Sequence, residues 1–374
     1  MGPVSDDNPG RRSGAVAVVY GTRPEIVKLA GVLRELGGRA CAVHTGQHYS
    51  AALSDVFLTQ LRLGAPDVRL DIGGTSRGRQ IGEATVALDR LFADRRPAAV
   101  VVQGDTNTAL AGALAANASG IPLVHVEAGL RSFDRAMPEE HNRVVIDHLA
   151  DLCCAPTETS RANLLAEGIP AERIATTGNT VVDVVPEIVP DDDERRALLA
   201  SHGVDEDAFV LATFHRPENV DDPDVLATIL DELARLPMPV VLPLHPRTAT
   251  RATSFGLDDR LRRLRVVEPL GYREFLGLAA SSGILVSDSG GLQEEASVIK
   301  RPLVVVRNST ERPEVQGTFA RLVAPGPAIG ETVADWSSDL DALHARLAQT
   351  PSPYGDGDAS KRCVAAIDEL VTRP

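Results

Sequence analysis

Two successive rounds of alternation constrain this chain most. Short runs of Val, Ile, Leu and Ala are separated by longer stretches of helical period, and the pattern stops and restarts once. Continuously apolar runs of strand length are what a parallel sheet covered on both faces requires. Amphipathic segments between such runs supply the crossovers that parallel strands need. The first round predicts strands at 15–20, 40–44, 98–102, 122–126 and 151–155. The second predicts strands at 209–213, 239–244, 264–267, 284–287 and 303–306. The break falls near residue 185, where 182–190 leads into Asp191-Asp192-Asp193-Glu194, a solvated helix start. At 374 residues the chain exceeds what one core sustains. Two α/β halves are therefore expected, with a cleft between facing strand ends.

Charge and composition narrow the partners. With 38 Lys and Arg against 52 Asp and Glu the net charge is −14, which excludes nucleic acid and anionic membrane surfaces. A small anion stays admissible, since a few focused arginines hold one against the global field. No apolar run approaches the roughly 20 residues of a membrane span. Residues 1–14 are polar, lack the apolar stretch of a signal peptide and are expected to form a disordered leader. A cytoplasmic location is expected. Cys41, Cys153, Cys154 and Cys363 show no C-x-x-C spacing and are expected as reduced, buried thiols. His44 and His48 are four apart but straddle Gly46 without an acid in metalloprotease spacing. Walker A and G-x-G-x-x-G sequences are absent, so no metal or redox cofactor is expected.

Several polar strings sit where predicted strands end. Gly21-Thr22-Arg23-Pro24-Glu25 offers an anion backbone N–H groups at a helix start, with Arg23 adding charge. Asp288-Ser289-Gly290-Gly291 follows 284–287, and its glycines allow a diphosphate to approach the backbone. Glu295, one turn further on, is placed to accept from ribose hydroxyls. Asp105 and Glu127 follow successive strands, and Glu139 opens a helix. Singly, such acids are caps or ion-pair partners. Aimed together at one cleft, they would raise one another's pKa values and serve as acid and base. His215-Arg216 ends the first strand of the second half, where it can serve a leaving phosphate.

Taken together, the strings GTRPE with Lys28, QGDT, HVEAGLRS, PEEHNR, GNT, HRPEN, DSGGLQEEA, STERPE and PYGDG occur in this order. From 16 to 371 the chain resembles the non-hydrolysing UDP-N-acetylglucosamine 2-epimerases. The resemblance implies a GT-B fold, two Rossmann-like domains with parallel sheets facing across a cleft. It implies domains at 15–184 and 185–352, with a C-terminal helix at 353–374 returning to the first. It also implies a homodimer, a UDP-sugar substrate and inversion at C2 through elimination of UDP and re-addition.

Carried over by motif position, Asp105, Glu127 and Glu139 would transfer protons and His215 would stabilise the departing diphosphate. Arg23, Ser289, Gly290 and Gly291 would bind phosphates, Glu295 the ribose, and Phe275 would lie near uracil. Lys28, Arg143 and Arg312 would complete the polar lining. Some relatives bind a second UDP-GlcNAc as activator. Here that loop reads Gln47-His48-Tyr49-Ser50, Pro217 replaces an arginine, and 73–78 is remodelled. Gln47 and His245 remain as vestiges, so activation is expected to be weak or absent. Two alternatives stay open: a hydrolysing 2-epimerase that releases UDP and ManNAc, and a catalytically silent sugar-nucleotide binder.

Overall fold

The computed structural model describes residues 14–47 and 58–373. The expected leader, apart from Gly14, and the segment 48–50 lie outside the described residues. The chain forms two compact units: the first ends at Val184 and is completed by the segment from Tyr354, and the second is Val185–Pro353.

The first unit contains β1 (Val16–Tyr20), α1 (Arg23–Leu36), β2 (Ala40–His44), β3 (Val68–Arg69), α2 (Arg77–Arg95) and β4 (Ala99–Gln103). It continues with α3 (Asn107–Ala118), β5 (Leu123–Val126), α4 (Pro138–Leu149), β6 (Leu152–Ala155), α5 (Glu158–Ala166) and β7 (Ile174–Thr176). Its seven strands are all parallel, in the order β3-β2-β1-β4-β5-β6-β7. Helix α6 (Val181–Ile188) carries the chain into the second unit.

There α7 (Asp192–His202), β8 (Val210–Thr213), α8 (Pro217–Val220), α9 (Pro223–Leu233) and β9 (Val240–Pro243) come first. They are followed by α10 (Pro246–Ser254), α11 (Asp258–Leu261), β10 (Arg265–Val267), α12 (Tyr272–Ser281), β11 (Ile284–Ser287) and α13 (Gly290–Ile299). The unit ends with β12 (Leu303–Val306), β13 (Ala320–Val323), α14 (Ala328–Ser337) and α15 (Leu340–Gln349). Its six strands are parallel, in the order β10-β9-β8-β11-β12-β13.

Aromatic residues are scarce, so aliphatic packing carries both cores. In the first, Val19, Val100 and Val102 meet Leu88 and Phe92 of α2 and the alanines of α3, all buried. Thr106 caps α3, its hydroxyl accepting from Ala109 N at 3.0 Å. In the second, Val210, Ala212, Ile284 and Val286 pack against Leu226, Ile229 and Leu230 of α9. Strands β3, β7 and β13 escape the sequence reading because each is short and partly exposed, without a continuous apolar run.

Both sheets are doubly wound, and each has a switch point where strand order reverses. It lies between β1 and β4 in the first sheet and between β8 and β11 in the second. Crevices open outside the carboxyl ends of such strand pairs. The strand-end strings Gly21–Glu25 and Gly104–Thr106 fall at the first point, and His215–Arg216 and Asp288–Gly291 at the second.

The last helix, α16 (Ala359–Thr372), packs on α1 of the first unit. Asp183 receives its opening N–H groups, from Ala359 at 3.2 Å and Ser360 at 2.6 Å. Arg39 pairs with Asp368 near its other end. Replacement of Asp183 by Ala is expected to destabilise the first unit by about 1 kcal/mol through loss of this cap. The denaturant midpoint measures it.

Candidate active site

The register of the first sheet fixes two of the acids. Gln103 of β4 lies opposite Val126 of β5, so Asp105 and Glu127 both emerge just past adjacent carboxyl ends. Each acid has a basic partner. Glu127 is buried and pairs with Lys28 of α1, while Asn179 donates to the same carboxylate oxygen at 3.2 Å. Asp105 is half-buried and pairs with Arg143 of α4. Arg143 also donates to Glu140 at 2.5 Å. Glu127 has φ +68, a left-handed conformation rare for a residue with a side chain, so its loop stores strain that neighbouring contacts must hold.

Glu139 sits exposed at the start of α4. The acid that turns inward there is its neighbour Glu140, which is 5% exposed and accepts from Ser132 N, Ser132 Oγ and Phe133 N at 2.9–3.0 Å. Asn142 donates to the Asp105 carbonyl at 2.7 Å, which ties α4 to the Asp105 loop.

Arg23 is exposed at the first position of α1. The loop before it is organised by Glu25, wholly buried, which accepts from Gly21 N at 3.0 Å, Thr22 N at 2.7 Å and the Thr106 hydroxyl at 2.7 Å. Burial pushes the Glu25 carboxyl up to about 7, against the downward pull of these donors. Gly21 has no room for a side chain, since an added Cβ would lie 2.2 Å from both the Thr45 and Thr108 hydroxyls. Gln47 accepts from Thr108 N at 2.9 Å and from its hydroxyl at 2.8 Å. In the remodelled segment, Arg77 donates to Asn142 at 2.6 Å and to the Pro138 carbonyl at 3.0 Å.

In the second unit Asp288, wholly buried, ties the two loops at the switch point together. It accepts from His215 N at 3.1 Å, Arg216 N at 3.0 Å and Asn219 Nδ2 at 3.1 Å. The His215 ring is 39% exposed, with Nδ1 3.3 Å from Asp288. Burial holds the imidazole below its ordinary pKa, helped by Arg216 and Arg247 and opposed by Asp288 and Glu218. His245 caps α10, and its ring centroid is 5.4 Å from that of His215.

Ser289 is the N-cap of α13, which Gly290 and Gly291 open. A Cβ on Gly290 would lie 2.8 Å from the Arg312 guanidinium and 2.9 Å from the Glu311 carboxylate. Arg312 is buried, donates to Glu294 at 2.6 Å and pairs with Glu311. Glu295 accepts from the Tyr272 hydroxyl at 2.6 Å. Phe275 lies half-buried on α12.

The sequence reading did not single out Glu25, Glu140, Asn179 or Asp288 for these positions. All four stood within the quoted strings, but which of Glu139 and Glu140 is buried depends on how α4 packs.

Two Rossmann-like units with acids at one switch point and a glycine-opened helix at the other define a GT-B protein. A profile of the UDP-N-acetylglucosamine 2-epimerase family matches residues 34–368. The UDP-N-acetylglucosamine 2-epimerase of Methanococcus maripaludis is 38% identical over 94% of this chain and 98% of its own. The UDP-2,3-diacetamido-2,3-dideoxy-D-glucuronate 2-epimerase of Pseudomonas aeruginosa is 35% identical over 95% and 99%. The Methanocaldococcus jannaschii UDP-GlcNAc 2-epimerase, solved with UDP-GlcNAc and UDP, superimposes with a TM-score of 0.83 at 37% identity, over 95% of this chain and 99% of that one. The chain belongs to the UDP-N-acetylglucosamine 2-epimerase family.

Glu25 makes a testable mark on stability. Its folded pKa of about 7 stands above the ordinary 4.5, so the protonated carboxyl favours folding below 4.5 and that contribution is lost as pH rises to 7. The loss amounts to at most about 3 kcal/mol. Glu25→Gln mimics the protonated form, and its urea midpoint is expected to lack this component of the decline from pH 4.5 to 7.

Proposed function

We propose that the protein is a non-hydrolysing epimerase that interconverts UDP-N-acetylglucosamine and UDP-N-acetylmannosamine. The observation that carries this reading is the emergence of Asp105 and Glu127 from adjacent strand ends, each beside a basic side chain. Binding alone needs no such set.

The C2–H bond of the sugar is weakly acidic, so direct removal and return of its proton is slow. Elimination lowers the barrier. A carboxylate takes the C2 proton, the C–H electron pair becomes the C1=C2 double bond, and the C1–O bond breaks with its pair leaving on UDP. The 2-acetamidoglucal so formed is attacked at C1 by the diphosphate oxygen while an acid delivers a proton to the other face of C2. Asp105, Glu127 and Glu139 are assigned to proton transfer, with Lys28 and Arg143 setting their charge environment. His215, largely neutral near pH 7, donates to the departing diphosphate without itself being consumed.

UDP must stay bound while it is detached. Ser289, Gly290 and Gly291 offer backbone N–H groups at the start of α13, and Arg23 and Arg312 add positive charge. Glu295 would receive the ribose and Phe275 the uracil. Gln47 is engaged by Thr108, and Arg77 by Asn142 and Pro138, which supports weak or absent activation by a second UDP-GlcNAc.

The Pseudomonas aeruginosa relative favours a second reading, the same C2 inversion on a UDP-2,3-diacetamido-glucuronate. Both substrates are tested side by side. Anomeric proton signals are expected to show UDP-GlcNAc and UDP-ManNAc reaching a mixture from either side. Conversion of the glucuronate alone would select the second reading, and release of free ManNAc would select a hydrolysing enzyme.

Two variants separate chemistry from binding. Asp105→Asn is expected to lose turnover by about 100-fold or more while UDP affinity by calorimetry is kept. Gly290→Ala, which displaces Arg312, is expected to weaken UDP binding on the order of tenfold.

A further inference from the structure

A buried polar group lies beneath the proton-transfer loops. His125 is the third residue of β5, in an otherwise apolar strand, and is 1% exposed. Its Nδ1 is 2.6 Å from Asp147 Oδ1 and its Nε2 is 2.8 Å from the Gly104 carbonyl. A carbonyl oxygen only accepts, so Nε2 carries a proton. Asp147, wholly buried on α4, accepts at its other oxygen from Gly129 N at 3.1 Å and from Arg131 at 2.8 Å. Burial alone would push the Asp147 carboxyl up, but His125 and Arg131 hold it below the ordinary carboxylate range.

We propose that His125 and Asp147 form a positioning pair for the proton-transfer carboxylates, joining the loop of Asp105 to the loop of Glu127. One ring nitrogen holds the carbonyl of Gly104, the residue before Asp105. Through Asp147, the other holds the N–H of Gly129, two residues past Glu127. That second loop needs a restraint, since Glu127 has φ +68.

Charged and titratable groups surround the pair. Arg131 pairs with Asp147 and, at 2.6 Å, with Glu167. His148 lies 3.6 Å from Glu167. Cys153 donates to the Asp147 carbonyl at 3.6 Å, its thiol pushed up by burial.

The role rests on the epimerase reading, and the test separates the two. With histidine labelled at both ring nitrogens, 15N NMR of the whole protein is expected to show a proton on His125 Nε2, the nitrogen that faces the Gly104 carbonyl. The signal is assigned by its absence in His125→Gln. That variant keeps a donor for Gly104 but loses Asp147, and its kcat is expected to fall by about 10- to 100-fold, with UDP affinity unchanged. An unprotonated Nε2 in the wild-type spectrum overturns the proposal, and so does wild-type kcat in folded His125→Gln. If the variant does not fold, the wild-type spectrum decides, its remaining histidines being assigned by their own substitutions. A wild-type protein that epimerises neither UDP-sugar overturns the reaction assignment, which the NMR result does not touch.

Discussion

Parallel pairing of β4 with β5, Gln103 opposite Val126, is the constraint on which the proposed chemistry depends. It delivers two carboxylates to one edge of a sheet whose interior is largely apolar. Charges placed there cannot stand alone, because desolvation of an unpaired carboxylate costs several kcal/mol. The surrounding elements answer that demand. Helix α1 brings Lys28 to Glu127, and α4 brings Arg143 to Asp105. The crossover helices thus supply the counter-ions as well as covering the sheet.

The second unit uses the same topology for another purpose. Its switch point brings two loops together, and Asp288 fastens them by accepting from three donors on the first loop and α8. The α13 start beyond it is left without a side chain at Gly290, against Arg312 and Glu311. Under the proposed reading, one fold repeated twice yields a proton-transfer edge in one unit and a diphosphate cradle in the other. The net charge of −14 belongs to the surface and says little about either.

The central strands were legible because buried parallel strands are apolar along their whole length. Edge strands β3, β7 and β13 were not, since partial exposure removes that signal. Asp105, Glu127, His215 and Ser289 through Gly291 could be found because each directly follows a strand. Glu25 was read as part of a helix start, and its burial became visible only when Thr106 arrived from another strand end. Glu140 and Glu139 differ only in which way α4 turns them. His125 did leave a trace, a polar residue inside an apolar strand, but its partner Asp147 is 22 residues away on a helix. Pairings of that kind are set by packing, which local sequence does not encode.

The measurement that bears most directly on the account is turnover of UDP-GlcNAc in D2O, followed by mass spectrometry and by the C2 proton signal. Removal of a proton at C2 and its return from an exchangeable acid predicts that UDP-ManNAc appears carrying deuterium at C2, without accumulation of free UDP in step with substrate loss. Formation of UDP-ManNAc that retains the original C2 proton would contradict it, since the carboxylates at the ends of β4 and β5 would then have no proton to move.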